Sequence, residues 1–449
     1  MNFIPNTDAD RRAMLDAIGV ATLDDLFADV PADKRYPTLD IGAPLSELEL
    51  QQHMAALARK NAAADQYTSF LGAGAYNHFI PPVVNHIIMR SEFYTAYTPY
   101  QPEVSQGTLT AIFEYQTMVC QLTGMEVANA SMYDGSTALA EAALMAARIT
   151  RRDKLVLASS VHPEYRDVVG TYTQGLNLPI ATVPYITDGP QSGRIDLDAL
   201  RQVVDKETAC VAVQCPNFFG VIEDLAPIVD IAHAVGALVI VNADPIALGL
   251  LKPPGDFDVD IVVAEGQSIS LPPYFGGPYV GLFATQMKHV RQLPGRVIGQ
   301  TVDHDGRRAF VMTLQAREQH IRREKATSNI CTNEALVALA ATVYLAAMGK
   351  SGVQRVAELS YHRAHYAAKE LASLPGYSLA FEAPFFKEFA LRGPRPVADD
   401  NRRLLADRII GGYDLAPAYP DLTNTALLAV TEMVSRSEID RLVADLRAA

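Results

Sequence analysis

Six short apolar runs between residues 154 and 285 constrain this chain more than any other feature: KLVLASS, PIATVPY, CVAVQC, ALVIVNA, IVVAEG and VGLFAT. They are rich in Val, Ile and Ala and lack the polar alternation of a half-exposed strand, so each asks to be buried on both faces. Helix-patterned stretches lie between them, near 137–150, 163–174, 196–205 and 223–235. This alternation predicts an α/β chain built on a mostly parallel sheet covered on both sides. The last two runs are joined by a Gly/Pro-rich turn with little room for a crossover helix, which predicts an antiparallel pair at one edge of the sheet.

The flanks read differently. Residues 7–62 have helical character: Asp8 or Asp10 is placed to cap a first helix through Ala17, ATLDDLFADVP reads as a second stopped by Pro31, and Ser46 with Glu49 forms a capping box for a third. The Pro/Gly-rich YPTLDIGAP before the third helix marks this region as an arm or small appendage. A long apolar helix, TLTAIFEYQTMVCQLTG, stops at Gly124 as a C-cap. Beyond residue 332, NEALVALAATVYLAAMG reads as a strong helix, followed by another through about Leu374. Strands in SLPGYSLAFEAPFFKEFALRG and a charged closing helix complete a smaller α+β unit. The expected division is a helical arm over 1–65, a large α/β domain over 66–331 and a small domain over 332–449.

Bulk properties exclude several function classes. A formal net charge of -13 argues against nucleic acid or an anionic membrane as the main partner. No run reaches the roughly 18–20 uninterrupted apolar residues that span a bilayer. The opening MNFIPNTDADRRAML lacks the features of a secretion or transit signal, so a cytoplasmic location is expected. Cys120, Cys210, Cys215 and Cys331 form no C-x-x-C pair and read as reduced thiols. There is no G-x-G-x-x-G after the first strand, no G-x-x-x-x-G-K and no H-E-x-x-H, which leaves a nucleotide or metal site without support. His362 and His365 are read as a solvated helix face.

Six places remain where chemistry can live, each with an ordinary structural alternative. Gly135, Ser136 and Thr137 open a helix and offer backbone N–H groups to a phosphate, or form a plain N-cap. His162 follows a strand and can stack on a planar ring, or serve structure alone. Asp244, also at a strand end, can keep a pyridine nitrogen protonated, or cap the next turn. Tyr94, Tyr97 and Tyr100 sit in a proline-fixed loop that suits a pocket wall or a subunit interface. Thr327, Ser328 and Asn329 follow a basic run, in an arrangement that suits anion recognition or a capped helix start. The sixth place is defined by what is missing. An aldehyde cofactor on such a fold needs a lysine amine just after the strand IVVAE, and the sequence there is Glu265-Gly266-Gln267-Ser268. The nearest lysines, Lys252 and Lys288, lie before this strand and after the next.

Taken together, long stretches of the chain resemble glycine decarboxylase P-proteins. They include AYTPYQPEVSQGTLTAIFEYQTMVCQLTGMEVANASMYDGSTALAEA, the opening MLDAIGVATLDDLFADVP, NADPIALGLL, the FGGP turn and HIRREKATSNICT. The resemblance covers essentially the whole chain, which is about half the length of the single-chain form of the family. It implies an aspartate-aminotransferase-like fold (pyridoxal-phosphate fold type I). It also implies decarboxylation of glycine with pyridoxal 5'-phosphate and transfer of the aminomethyl group to the lipoyl arm of an H-protein.

The resemblance is to the subunit of the divided enzyme that lacks the Schiff-base lysine, with Gln267 in the lysine's place. The cofactor is then held covalently by a lysine-bearing partner subunit. Gly135, Ser136, Thr137, His162 and Asp244 are expected to line a degenerate pocket, and Tyr94, Tyr97, Tyr100 and Thr327–Asn329 to reach into the partner's site. The competing readings are a non-catalytic scaffold and a self-sufficient pyridoxal-phosphate enzyme, and the second needs the lysine that is not in place.

Overall fold

The computed structural model describes residues 5–447. Two compact units divide the described residues, one ending at Asn61 and the other beginning at Ala62. In the first, the helix Asp8–Ile18 is capped by Thr7 rather than by either aspartate. The Thr7 hydroxyl accepts from the Asp10 N–H while the Asp10 carboxylate accepts from the Thr7 N–H, so two otherwise orphaned donors are satisfied at once. Residues Asp24–Phe27 make one tight 3-10 turn where a second helix is expected. The Ser46–Glu49 capping box forms and opens the helix Glu47–Ala58. No described side chain of this unit is buried.

The second unit is organised around a seven-stranded sheet ordered 127–128, 281–285, 261–265, 238–243, 208–215, 154–158, 180–183. Strands 180–183 through 261–265 run parallel, and 281–285 pairs antiparallel with 261–265. The antiparallel pair is as expected, but 281–285 is not the edge. The short strand Val127–Ala128 lies beyond it, also antiparallel. Two residues are too few to leave a period in the sequence, which is why this edge is not predicted. The helices Gly135–Thr150, Pro163–Thr173, Leu197–Val203 and Leu225–Ala234 connect the strands. Val156, Val211, Val239, Ile240 and Val263 are fully buried between the helical layers, which is why those strands carry no polar alternation.

After the sheet, Val297–Val302 and Arg308–Thr313 form an antiparallel hairpin. Its turn carries Asp305-Gly306, with Gly306 at φ 78°, a conformation that favours glycine. The helix Ala335–Ala372 breaks its regularity at Gly349 (φ 60°, ψ -177°). By length and composition alone it could cross a bilayer, but Val337, Leu339, Tyr344 and Val356 are buried in the core. A four-stranded antiparallel sheet follows, ordered 378–379, 388–392, 425–429, 413–414. The segment Thr68–Ser69 pairs with Ile409–Ile410, so chain from before the large sheet is built into the C-terminal region. His365 is not on a solvated face: its ring stacks on Phe385 at 4.0 Å and 3°, and Nε2 bonds the Phe385 carbonyl.

Candidate functional site

The carboxyl ends of the parallel strands meet a cavity of ≈ 40 Å³, lined among others by His162, Asp244, Glu265, Ser268, Lys387 and Glu388. Of the sequence candidates, His162 and Asp244 line it, and Gly135 and Gln267 adjoin it through bonds to the lining residues Glu265 and Tyr76. The helix Gly135–Thr150 is capped by Asp134, whose carboxylate accepts from the Thr137 N–H at 2.7 Å and the Ser136 hydroxyl at 2.7 Å. The Gly135 N–H donates to Glu265 Oε2 at 2.9 Å. The N–H groups of Gly135 and Thr137 are therefore not free for a phosphate: carboxyl oxygens of Glu265 and Asp134 already accept from them. A Cβ on Gly135 would lie 2.7 Å from the Tyr165 hydroxyl and 3.0 Å from the Glu265 backbone, so the backbone there is closely packed.

Asp244 caps the Ile246 N–H at 2.9 Å, and its second oxygen holds Lys387 Nζ at 2.7 Å. Burial pushes the Asp244 carboxyl up, and the Lys387 ammonium outweighs this and holds it below the ordinary range. Lys387, 1 % exposed, also donates to His78 Nε2 at 3.1 Å and lies 3.7 Å from the centre of the Tyr76 ring. This assigns the proton to His78 Nδ1, which donates to Glu432 at 2.7 Å. The Tyr76 hydroxyl donates to Glu388 Oε2 at 2.7 Å. Burial raises the Glu388 carboxyl to about 7 and the Glu265 carboxyl to about 8, with Asp134 nearby adding to the latter.

Gln267 is 1 % exposed. Its Oε1 accepts from the Tyr76 N–H at 2.9 Å, and its Nε2 donates to the Tyr76 carbonyl at 3.0 Å and the Leu271 carbonyl at 2.7 Å. The side chain pins the segment around Tyr76 with both amide hydrogens donated and the amide oxygen accepting. His162 Nδ1 accepts from the Glu164 N–H and Nε2 bonds the Ala73 carbonyl. Its ring stacks on Tyr165 at 4.8 Å and 20°, so one face of the imidazole is already covered by an aromatic ring of the chain.

These residues do not fit pyridoxal phosphate. The amine is an amide, the ring-nitrogen carboxylate already holds a cation, the phosphate donors already hold carboxylates, and the space admits only a few water molecules. Lys387, Tyr76, His78, Glu265 and Glu388 were missed in the sequence. The one available signal is a Lys-Glu pair inside the apolar run FFKEFAL, a charge that must find partners if the strand is buried.

The other candidates lie elsewhere. Tyr94, Tyr97 and Tyr100 are 58 %, 86 % and 45 % exposed, so the loop presents its rings to solvent. Tyr94 and Tyr97 line a cavity of ≈ 200 Å³ with Phe93, Tyr115 and Arg296. The Ser328 hydroxyl donates to Glu141 Oε1 at 2.8 Å, Thr327 lines a smaller cavity with Arg296 and Arg317, and Asn329 is exposed. These residues do not open a helix as expected. One helical turn ends at Arg322, and the next α-helix begins only at Ala335. Among the described residues no cluster of His, Cys, Asp or Glu could hold a metal ion.

A family model described as glycine cleavage system P-protein matches residues 1–446. A relative from Desulforamulus reducens, called probable glycine dehydrogenase (decarboxylating) subunit 1, is 56% identical over 449 residues, covering 100% of both chains. One with the same description from Moorella thermoacetica is 53% identical over 448 residues, covering 100% of this chain and 99% of its own. The crystal structure of a glycine decarboxylase (P-protein) of the glycine cleavage system, in inhibitor-bound form, superposes with a TM-score of 0.91 at 45% identity over 100% of both chains. A glutamate decarboxylase from Lactobacillus brevis, at 14% identity and TM-score 0.69 over 93% of this chain and 96% of its own, shares the fold.

Proposed function

Because the chain belongs to the glycine cleavage system P-protein family, we propose that it is the cofactor-free subunit of a two-subunit glycine decarboxylase and completes the active site of a lysine-bearing partner. Its fold is that of the fold-type-I pyridoxal-phosphate enzymes. The observation that supports the reading is that the groups such a cofactor would need are taken up within the chain: Gln267 bonds the Tyr76 backbone, Asp244 holds Lys387, and the Gly135 N–H donates to Glu265.

Pyridoxal phosphate, held covalently by the partner, supplies the electron sink into which glycine loses carbon dioxide. This chain contributes walls and hydrogen bonds. Tyr94, Tyr97 and Tyr100 give apolar area with polar tips, suited to shaping a small substrate site and excluding water from it. Thr327 and Asn329 offer hydroxyl and amide donors to the partner's cofactor phosphate, while Ser328, whose hydroxyl donates to Glu141, holds the loop between them in place. The aminomethyl carbon then passes to the lipoyl arm of an H-protein. The division into an arm over 1–65, a large domain over 66–331 and a small domain over 332–449 belongs to this reading, as does a cytoplasmic assembly without nucleic acid or membrane partner.

Exchange of labelled bicarbonate into glycine tests the proposal. The chain is assayed alone and with the lysine-bearing subunit, in the presence of pyridoxal phosphate and lipoylated H-protein. Activity only in the mixture supports the shared site. Full activity from this chain alone overturns it. A scaffold that merely docks the active subunit predicts turnover unaffected by Tyr97→Ala and Ser328→Ala.

A further inference from the structure

The two loops read as entering the partner's site lie more than 200 residues apart in sequence, so something must hold them in register. Arg296, the residue before the strand Val297–Val302, stands between them and is 7 % exposed. One terminal nitrogen donates to Thr332 Oγ1 at 2.9 Å and Thr98 Oγ1 at 3.3 Å. The other donates to the Tyr100 hydroxyl and the Cys331 carbonyl, both at 3.1 Å. The guanidinium carbon lies 5.5 Å from the centre of the Tyr100 ring. Nε is buried with no hydrogen-bond partner, and the nearest carboxylate oxygen, on Glu318, is 4.0 Å away.

Burying a cation without a close carboxylate is unfavourable, and a hydrophobic side chain of similar size would pack the space at lower cost. What only arginine supplies here is a planar fork that binds acceptors on both sides at once. Arg296 also lines both cavities, the one carrying Tyr94 and Tyr97 and the one carrying Thr327 and Ser328.

We infer that Arg296 is a positioning residue for glycine decarboxylation, clamping the 98–100 and 331–332 loops into one surface that is presented to the partner's site. The inference rests on the shared-site reading above. Lysine at this position keeps the charge but cannot span both loops. Threonine 332 replaced by valine keeps the size and removes only one acceptor.

The experiment measures turnover per assembled complex, with complex counted by size and by the partner's cofactor absorbance. A merely structural arginine would change the amount of complex and leave the turnover of each assembled complex intact. Arg296→Lys is expected to lower kcat about 10- to 100-fold, the range for misplacing groups by about 1 Å, with cofactor absorbance retained. Thr332→Val is expected to lower it about 3-fold, the loss of one hydrogen bond, and it decides the matter if Arg296→Lys fails to assemble. Turnover within twofold of wild type in Arg296→Lys, or in Thr332→Val where Arg296→Lys yields no complex, overturns the clamp. If Tyr97→Ala still lowers turnover in that case, the shared-site reading survives and only the role of Arg296 falls.

Discussion

The pocket at the strand ends and the loop cluster around Arg296 both contain buried cations, and they treat them in opposite ways. In the pocket, Lys387 lies 2.7 Å from Asp244, and both amide hydrogens and the amide oxygen of Gln267 are hydrogen-bonded. In the cluster, Arg296 keeps an unpartnered Nε and the aromatic rings beside it are open to solvent. A site whose charges are matched internally is built for stability. One that leaves polar groups and aromatic area uncovered is built to meet something else. The two regions should therefore respond to mutation through different observables.

The largest effect is expected at Lys387. Replacing it with methionine leaves the largely buried Asp244 (side chain 16 % exposed) without its cation, a loss on the order of 3 kcal/mol, read as the shift in urea unfolding. Adding Asp244→Asn should recover much of it, because the uncompensated charge is then gone. A single-mutant loss near zero would show that the pocket is not held by this pair. Tyr97 should behave in the reverse way. At 86 % exposure, Tyr97→Ala should shift stability by no more than about 0.5 kcal/mol. In the assembled enzyme it should lower turnover about tenfold or more, the scale of a lost positioning contact. If it lowers stability and spares turnover, the contrast between the regions is wrong.

A smaller effect concerns pH. Burial raises Glu265 to about 8 and Glu388 and Glu223 to about 7, all above the unfolded value. A carboxyl raised on folding holds a proton that the unfolded chain has already lost, so its contribution is full below the unfolded value of about 4.3. That contribution fades as pH rises through about 7 to 8. Asp244 and Glu432, both lowered, act oppositely, and their contribution is lost as pH falls below about 4. His78 and His162, lowered by burial, also cost stability as pH falls below about 6.5. Glu265→Gln removes one of the raised groups and should flatten the decline between pH 7 and 8 by on the order of 1 kcal/mol. An unchanged profile in denaturant titrations would mean that Glu265 is ionised across that range.

How much of this was legible in the sequence follows from range. The parallel strands were legible because burial on both faces leaves unbroken apolar runs, and the Gly124 stop because a left-handed C-cap favours glycine (φ 73°). Asp244 and Gln267 were placed near one site because strand ends converge in such a sheet. Lys387 was not, since no local period links it to an aspartate more than 140 residues earlier. His365 was misread for the same reason: Phe385, which covers its ring, lies in another element. Thr7 was passed over in favour of the acids beside it, although Thr-x-x-Asp is a box in which the acid answers the cap.

The smallest expected effect sharpens the comparison most. If the pocket lacked cofactor only because Gln267 replaces a lysine, then Gln267→Lys should restore binding. The geometry predicts otherwise. Asp244 would still hold Lys387, and the Gly135 and Thr137 N–H groups would still hold Glu265 and Asp134. The new amine would also lose the paired bonds to Tyr76 that now pin the pocket wall. Pyridoxal phosphate titrated into Gln267→Lys, with borohydride trapping and peptide mapping, is expected to give no label at position 267 beyond that of the unchanged chain. Adding Lys387→Met and Glu265→Ala should be needed before any appears there. Stoichiometric labelling of the single mutant at 267 would mean that the pocket opens readily and that one side chain, not three, separates this subunit from a cofactor-binding one.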